Sequence, residues 1–424
     1  MKILILGAGG REHSVGKKLA EEGHEIYAAP GNPGIAQIGR CVTELDVKDH
    51  KAVIDYVKSN GIGFTFVGPE APLDAGIVDD FERFGLPIFG PTKMAAQIET
   101  SKEFCCTLLE AANVPIPATL YYNNFAAMEQ SVAGSSGGIV LKKSGLAAGK
   151  GAEVVRNSTD LIPALTRLKK LGDGSFLVQT MEEGPELSYF VLTDGTDFVF
   201  LGSAQDYKPL YPGGPNTGGM GGFAPHPILT SELQKTIDET VVRPTIKALA
   251  EVSRPYKGVL YIQLMITKRG PVVIEINCRF GDPEAQLIMP LLNCELLPLL
   301  QATTKSGFLR MMEAKFKPWV SVGIVMASEG YPDDPKTGRF ITGLDREPGP
   351  NDPNHYAYVY HAGTKMVEDQ LVTSGGRVLT VVGTDSEYEM AKNMAMMAVS
   401  LIWFEGEQYR PDVGNEAIAA QAAT

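Results

Sequence analysis

KKSGLAAGKGAEVV, residues 142–155, places Gly145, Gly149 and Gly151 around Lys150, between two apolar stretches. A phosphate-gripping P-loop reads G-x-x-x-x-G-K-[ST] and opens a helix. Here three residues separate Gly145 from Gly149, Gly151 stands where a hydroxyl should follow the lysine, and AEVV continues as a strand. Spacing, hydroxyl and context all fail, so the fold is not that of a P-loop protein. What remains is a strand–loop–strand element. Its glycines let backbone approach a ligand, or it is a hairpin tip that binds nothing.

Working outward, KILIL at 2–6 enters GAGGREH at 7–13 and a helix-period segment, and strands then alternate with helices to about residue 95. That order predicts a doubly wound parallel sheet whose loops GAGG, PGNPG, GPEAP and GPT gather at the strand C-terminal edge, where such sheets bind ligands. Glu12 fills the place of the third glycine of G-x-G-x-x-G, and the second strand ends in AAPGN with no acid for a ribose. This argues against a dinucleotide site. A smaller phosphate on the amides of Gly9, Gly10 and Arg11 fits the helix N-terminus, as does a ligand-free turn.

The pattern reads as helical over 92–112 and breaks at NVPIP. Strands follow at 139–142, 152–155, 176–180, 187–192 and 197–202 around a helix near 160–171. A Gly/Pro-rich loop at 208–225, a long helix at 231–251 and paired strands at 258–267 and 271–277 come next. A boundary near 316–320 precedes a strand-rich remainder with one helix near 385–402.

The densest chemistry is VVIEINCRFGDPEAQ, 272–286. Strand alternation puts Glu275 and Asn277 on one face, two hard oxygen ligands suited to Mg²⁺ beside nucleotide phosphates. Gln263, on the preceding strand, offers a third oxygen. Arg279 continues the alternation, and Asp282 and Glu284 follow in the turn. A surface carboxylate paired with a lysine is the plainer alternative for Glu275. The six histidines show no metal spacing. No G-x-S-x-G is present, and no cysteine has a catalytic partner.

The net charge of −12 argues against a nucleic-acid partner. No apolar run reaches the ~18 residues of a membrane span. Five cysteines without a CxxC pair fit reduced thiols in the cytoplasm.

Taken together, GAGGREH, APGNPG, VGPEAPL, FGPTKMAAQIE, GLAAGKG, GPNTGGMG, EINCRFGDPEAQ, HAGTK, TSGGRVL and YRPDVG resemble the phosphoribosylamine–glycine ligase family of the ATP-grasp superfamily. The resemblance implies an N-terminal substrate domain at 1–100 and a two-lobed ATP-grasp core at 101–315 with a small mobile lobe near 117–188. A C-terminal domain at 316–424 completes it. The fold class is thus mixed, α/β followed by α+β.

The resemblance further implies ATP between the lobes. Lys102 and Lys142 would contact the nucleotide, Gln179 and Met181 lie in the hinge before Gly184, and Glu186 would meet the ribose. Gly145, Gly149, Lys150 and Gly151 form a flap over the phosphates. Glu275 and Asn277, with Gln263 as a third ligand, match the Mg²⁺ (or Mn²⁺) site. Arg279, Asp282 and Lys142 are the catalytic candidates. Gly9, Gly10, Arg11, Asn32, Gly68, Pro69 and Glu70 hold 5-phosphoribosylamine, and Asp206, Lys208, Asn216 and Gly218 complete the substrate side.

Glycine's carboxylate would attack the γ-phosphate of ATP, and the amine would then displace phosphate from glycyl phosphate. Neither step needs a protein nucleophile, because phosphoryl transfer is catalysed mainly by positioning and cations. The implied protein is a cytoplasmic monomer or weak homodimer. Lys143, Ser144, Tyr207 and a short 208–216 loop depart from the family pattern. A carboxylase of later purine metabolism would lack GREH and RFGDPE. A nicotinamide oxidoreductase would leave 100–420 unexplained, and an inactive nucleotide sensor would have lost Glu275 or Asn277.

Overall fold

Ile3, Leu4, Ile5 and Leu6 are all fully buried. Consecutive buried side chains point to opposite faces of a strand, so strand Lys2–Gly7 must be covered on both sides. It is the centre of a five-stranded sheet ordered Gly39–Cys41, Glu25–Pro30, Lys2–Gly7, Phe64–Val67, Ile88–Phe89, every pair parallel. The strand order reverses beside Lys2–Gly7, so the crevice of this α/β sheet opens between the loops following Gly7 and Val67. The computed structural model describes residues 1–146, 151–344 and 357–423.

Residues 92–112 are two helices, Lys93–Thr100 and Lys102–Ala111. Ser101 interrupts them in extended conformation, and its side chain accepts from the Phe104 amide at 3.2 Å. This N-cap makes Lys102 the first helical residue and turns it toward the core.

A four-stranded antiparallel sheet, Thr119–Tyr122, Phe176–Thr180, Ile139–Lys143 and Ala152–Val155, forms the small lobe. Helices Phe125–Val132 and Ser158–Lys170 cover it, and Phe125, Met128, Leu141, Leu165 and Phe176 share its own core. The chain leaves through Gly184, at φ +153°, where a Cβ would lie 2.1 Å from the Ile266 carbonyl oxygen. Only glycine fits there.

The largest sheet is antiparallel and has eight strands: Gly270–Asn277, Gly258–Thr267, Glu186–Thr193, Phe198–Asp206, Gly221–Ala224, Val320–Ala327, Arg377–Asp385, Ala357–His361. The strand Gly221–Ala224, inside the stretch read as a loop, joins Phe198–Asp206 to Val320–Ala327. The sequence boundary near 316–320 is therefore no boundary in the sheet. The helix read over 231–251 is Ser231–Ile237, a π turn Asp238–Val242 and Arg243–Glu251. Pro244 has no N–H to give to an i−4 carbonyl, which accounts for the wider turn before it. Helix Tyr388–Leu401 packs on the C-terminal strands, burying Tyr388, Ala391, Ala395 and Val399.

Phe280 locks the N-terminal sheet to the core. It is fully buried, with its ring 5.9 Å from Phe66 and 6.1 Å from Phe89. Such aromatic pairs add about 0.5–1.5 kcal/mol each beyond their buried area. The neighbours of Phe280 are Arg279 and, two residues on, Asp282. A second tie is buried: the His361 amide donates to His13 Nδ1 at 2.9 Å. No helix among the described residues is long and apolar enough to cross a membrane.

Candidate active site

The parallel sheet, the small lobe and the large sheet meet around a cleft of about 430 Å³, within the ~300–1,000 Å³ typical of small-molecule sites. Strand register builds its floor. Gln263 lies opposite Glu275 and Tyr261 opposite Asn277, and Ser188 lies opposite Gln263. Facing antiparallel residues share a side of the sheet, so one face carries this polar set.

One half of the cleft is cationic. Lys102 comes from its capped helix, Lys142 from the small lobe and Lys208 from the segment after Asp206, and all three line the cleft. Lys142 is buried, donates to the Ile274 carbonyl at 2.7 Å, and is pushed below the usual lysine range by that burial. Lys102 Nζ donates to the Gly145 carbonyl at 3.2 Å, tying helix to flap. Lys208 Nζ donates to Gln263 Oε1 at 2.7 Å and lies 4.0 Å from Glu275 Oε1. Burial pushes Glu275 up, but Lys208, Lys142 and Lys102 outweigh it and hold the carboxyl down to about 2. Glu275 is therefore ionised at neutral pH. Asn277 Nδ2 is 3.5 Å from it.

The other half is built on arginines. The Phe280 carbonyl accepts from Arg11 at 3.0 Å and from Arg279 at 3.1 Å. Arg279 also lies 3.4 Å from Glu70 Oε2 and 3.4 Å from Glu99 Oε1, and despite its burial those carboxylates raise it further above the usual range. Asp282 accepts from Gln286 at 2.8 Å and lies 3.4 Å from Arg377. Burial would raise Asp282, yet Arg377 and Arg11 hold it below the usual carboxylate range. Asp206, by contrast, is pushed well above that range by burial and then by Glu284. Tyr261 donates to Glu284 at 2.5 Å, with Ser188 at 3.3 Å.

Of the residues singled out in the sequence, Arg11, Pro69, Glu70, Lys102, Lys142, Gly145 and Gly151 line the cleft. So do Asp206, Lys208, Asn216, Gly218, Glu275, Asn277, Arg279 and Asp282. Gly149 and Lys150 lie outside the described residues.

Others have different work. Gln263 is bonded within the site, its oxygen accepting from Lys208 while its Nε2 donates to Glu186 at 2.9 Å. Glu186 is thereby bonded to the floor, away from the cleft lining. Asn32 is hydrogen-bonded within the fold. Its Nδ2 donates to the Ala8 and His361 carbonyls, both at 2.8 Å, and its Oδ1 accepts from Ile35 at 2.9 Å. The Gly9 amide is engaged by Glu12 Oε2 at 2.6 Å, and Glu12 also fills the space beside Gly68. Gly10 is packed against Gln286. Gln179 is buried and donates to Thr119 at 3.0 Å, and Met181 faces Arg156. Neither lines the cleft.

Sequence reasoning missed Glu99, Thr217, Tyr261 and Arg377 in the lining. Glu99 and Arg377 lay within quoted motifs, but their partners are far away in the chain. Lys143 Nζ donates to the Leu171 carbonyl and Ser144 Oγ accepts from the Glu103 amide at 3.5 Å, so these departures support the lobe from outside the cleft.

A divalent cation fits Glu275 and Asn277: an ionised carboxylate and an amide oxygen adjoin three lysines suited to polyphosphate. No group of three or more His, Cys, Asp or Glu among the described residues forms a metal cage. That agrees with Mg²⁺, which takes one or two protein ligands and completes its shell with water and phosphate oxygens.

Three domain models of one family match the chain: phosphoribosylglycinamide synthetase N domain at residues 1–99, ATP-grasp (A) domain at 100–285 and C domain at 321–416. A phosphoribosylamine–glycine ligase of Caldanaerobacter subterraneus is 38% identical over 97% of this chain and 99% of its own length. One from Neisseria meningitidis serogroup B is 39% identical over 99% of this chain and 100% of its own. Among solved structures, the phosphoribosylamine–glycine ligase of Thermotoga maritima superimposes with a TM-score of 0.80 at 28% identity, covering 97% of this chain and 100% of that one. A biotin carboxylase from Campylobacter jejuni shares the fold at 14% identity and a TM-score of 0.72, covering 99% of this chain and 95% of that one.

Proposed function

Because this chain belongs to the phosphoribosylglycinamide synthetase family, we propose that its cleft joins glycine to 5-phosphoribosylamine by way of glycyl phosphate. The activity is ATP-dependent ligation of glycine in purine biosynthesis. The observation that carries the mechanism is the division of one cleft into a lysine half around Glu275 and an arginine half around Phe280.

Lys102, Lys142 and Lys208 hold the triphosphate, and Glu275 with Asn277 would hold Mg²⁺. Bound there, the ion neutralises charge on the phosphate oxygens being transferred. A glycine carboxylate oxygen would bond to the γ-phosphorus as the bond to ADP breaks, and Arg279 would receive the charge of the carboxylate and then that of the acyl phosphate. Glu70 and Glu99 fix the guanidinium plane, so it need not reorganise as charge develops. Arg11, Pro69 and Glu70 present the amine from the N-terminal sheet. The amine attacks the acyl carbon, the C–O bond to phosphate breaks, and the departing phosphate takes the proton lost from the nitrogen. The small lobe excludes water from glycyl phosphate, which hydrolysis would otherwise destroy.

The test is ADP release from the purified chain. It should require glycine, freshly generated 5-phosphoribosylamine and Mg²⁺ together. Turnover with another amino acid but not with glycine would contradict the assignment.

A further inference from the structure

The segment 206–219 brings Lys208, Asn216, Thr217 and Gly218 to the cleft. Its sequence, DYKPLYPGGPNTGG, is short of apolar side chains that could hold it to a core of its own. Internally, the Thr217 amide and hydroxyl both reach the Lys208 carbonyl, at 2.8 and 2.7 Å. The C-terminal region grips the rest. On one arm, the Tyr331 hydroxyl accepts from the Gly218 amide at 2.9 Å, and Arg377 donates to the Gly218 carbonyl at 2.6 Å. On the other, Arg410 donates to the Pro209 carbonyl at 3.0 Å and lies 5.0 Å from the Tyr207 ring centroid. Arg410 is buried and paired with Asp412. The Gly414 amide donates to the Tyr207 hydroxyl at 3.3 Å. Arg377 lines the cleft, whereas Tyr331 and Arg410 do not.

We propose that Tyr331 and Arg410 are positioning residues for the ligase. They act through Gly218 and Pro209 to set Lys208 Nζ against Gln263 and Glu275. The physical ground is that Lys208 sits on a flexible four-carbon stem, so its ammonium is only as well placed as its backbone. Pro209, which follows Lys208, and Gly218, which follows the Thr217 bonded to the Lys208 carbonyl, are each held by a residue at least 110 positions away in the chain, Arg410 and Tyr331 respectively. An ångström of misplacement can cost about a hundredfold in rate even when the chemical groups are intact. The motif YRPDVG thereby has a role at a cleft it does not touch.

The inference rests on the ligase reading, and wild-type turnover measured alongside tests that reading separately. Tyr331→Phe removes one acceptor and leaves the ring packed over Gly376. It should speed amide hydrogen exchange in 207–219 by about fivefold, the worth of one neutral hydrogen bond. It should lower kcat by a similar factor and raise KM for ATP by less, because Lys102 and Lys142 still hold the triphosphate and are held elsewhere. Arg410→Lys keeps the charge but loses the fork with Asp412, and should do the same more strongly. Wild-type exchange and wild-type kcat in Tyr331→Phe would overturn the proposal. So would faster exchange spread over the whole chain rather than confined to the segment, which would mark a merely structural role. The exchange measurement needs no turnover, so failure of the clamp and failure of the ligase reading are distinguishable.

Discussion

Glu275→Gln keeps the shape of the side chain and removes its charge. At 4.0 Å from Lys208, one unit pair in an effective dielectric of ~20 is worth about 4 kcal/mol. Both side chains are about one-third exposed, at 31% and 34%, so solvent screening brings the net to about 1 kcal/mol. The larger loss is the metal ligand. Removing a group aimed at charge in a transferring phosphoryl costs roughly 10²–10³-fold, about 2.7–4 kcal/mol. The ion-pair term falls on stability, and the loss of the ligand predicts a fall in kcat/KM of roughly 10²–10³-fold. The assay is ADP release with glycine and freshly generated 5-phosphoribosylamine, with Mg²⁺ raised to saturation. Near-normal turnover at saturating Mg²⁺ would refute both the metal site and the role of the lysine cage. The same variant has a pH signature. Glu275 is held below its ordinary value of 4.5, at about 2, so the stability it lends is complete above about pH 4.5 and is lost as pH falls through about 2. Glu275→Gln should flatten that acid limb.

Phe280→Ala should cost about 3–5 kcal/mol, as for other buried aromatic truncations, and should depress kcat beyond the stability loss because Arg11 and Arg279 share its carbonyl. A variant with normal kcat and reduced stability would show that Phe280 only packs. Burial pushes His226 and His361 down to about 4 and His13 well below its ordinary 6.5. The unfolded chain therefore binds protons first. Stability should be complete above about pH 6.5 and decline toward about pH 4, by up to about 1.4 kcal/mol per pH unit for each histidine. Urea midpoints across that range check this, and His226→Gln should give a shallower slope than the wild type.

The parallel sheet was legible because its strands are short apolar runs separated by glycine loops. The Glu275–Asn277 pair was legible because period two is a local property. What the sequence hid is long-range. Asn32 reads as a loop residue facing a ligand, and one of the two carbonyls its amide meets, that of His361, lies 329 residues away. Gln263 offers an oxygen by strand alternation alone, and the Lys208 ammonium it accepts from lies 55 residues back. Glu99 could not be paired with Arg279 by any spacing rule. The split at Ser101 was masked by helical periodicity on both sides of a single extended residue, and a serine before a helix-forming run was the signal available. Glu12 stands where the motif has a glycine, and its carboxylate, at the third position of the helix, accepts from the Gly9 amide that caps it.

The eight-stranded sheet runs through the junction that the family's domain models leave between residues 285 and 321. Four pairs of residues, from Gly221–Ile324 to Ala224–Ser321, stitch the two sides. Expressing residues 1–315 alone would strip Gly221–Ala224 of its partner and leave a raw edge of unpaired amides and carbonyls, the kind of surface on which chains aggregate. It would also open the core where Tyr360 and Val382 pack with Phe190 and Phe280. Such a fragment should be insoluble rather than merely inactive. For anyone dissecting or grafting this enzyme, the cuttable unit is the four-stranded lobe, which carries its own core, and the C-terminal quarter is inseparable from the rest.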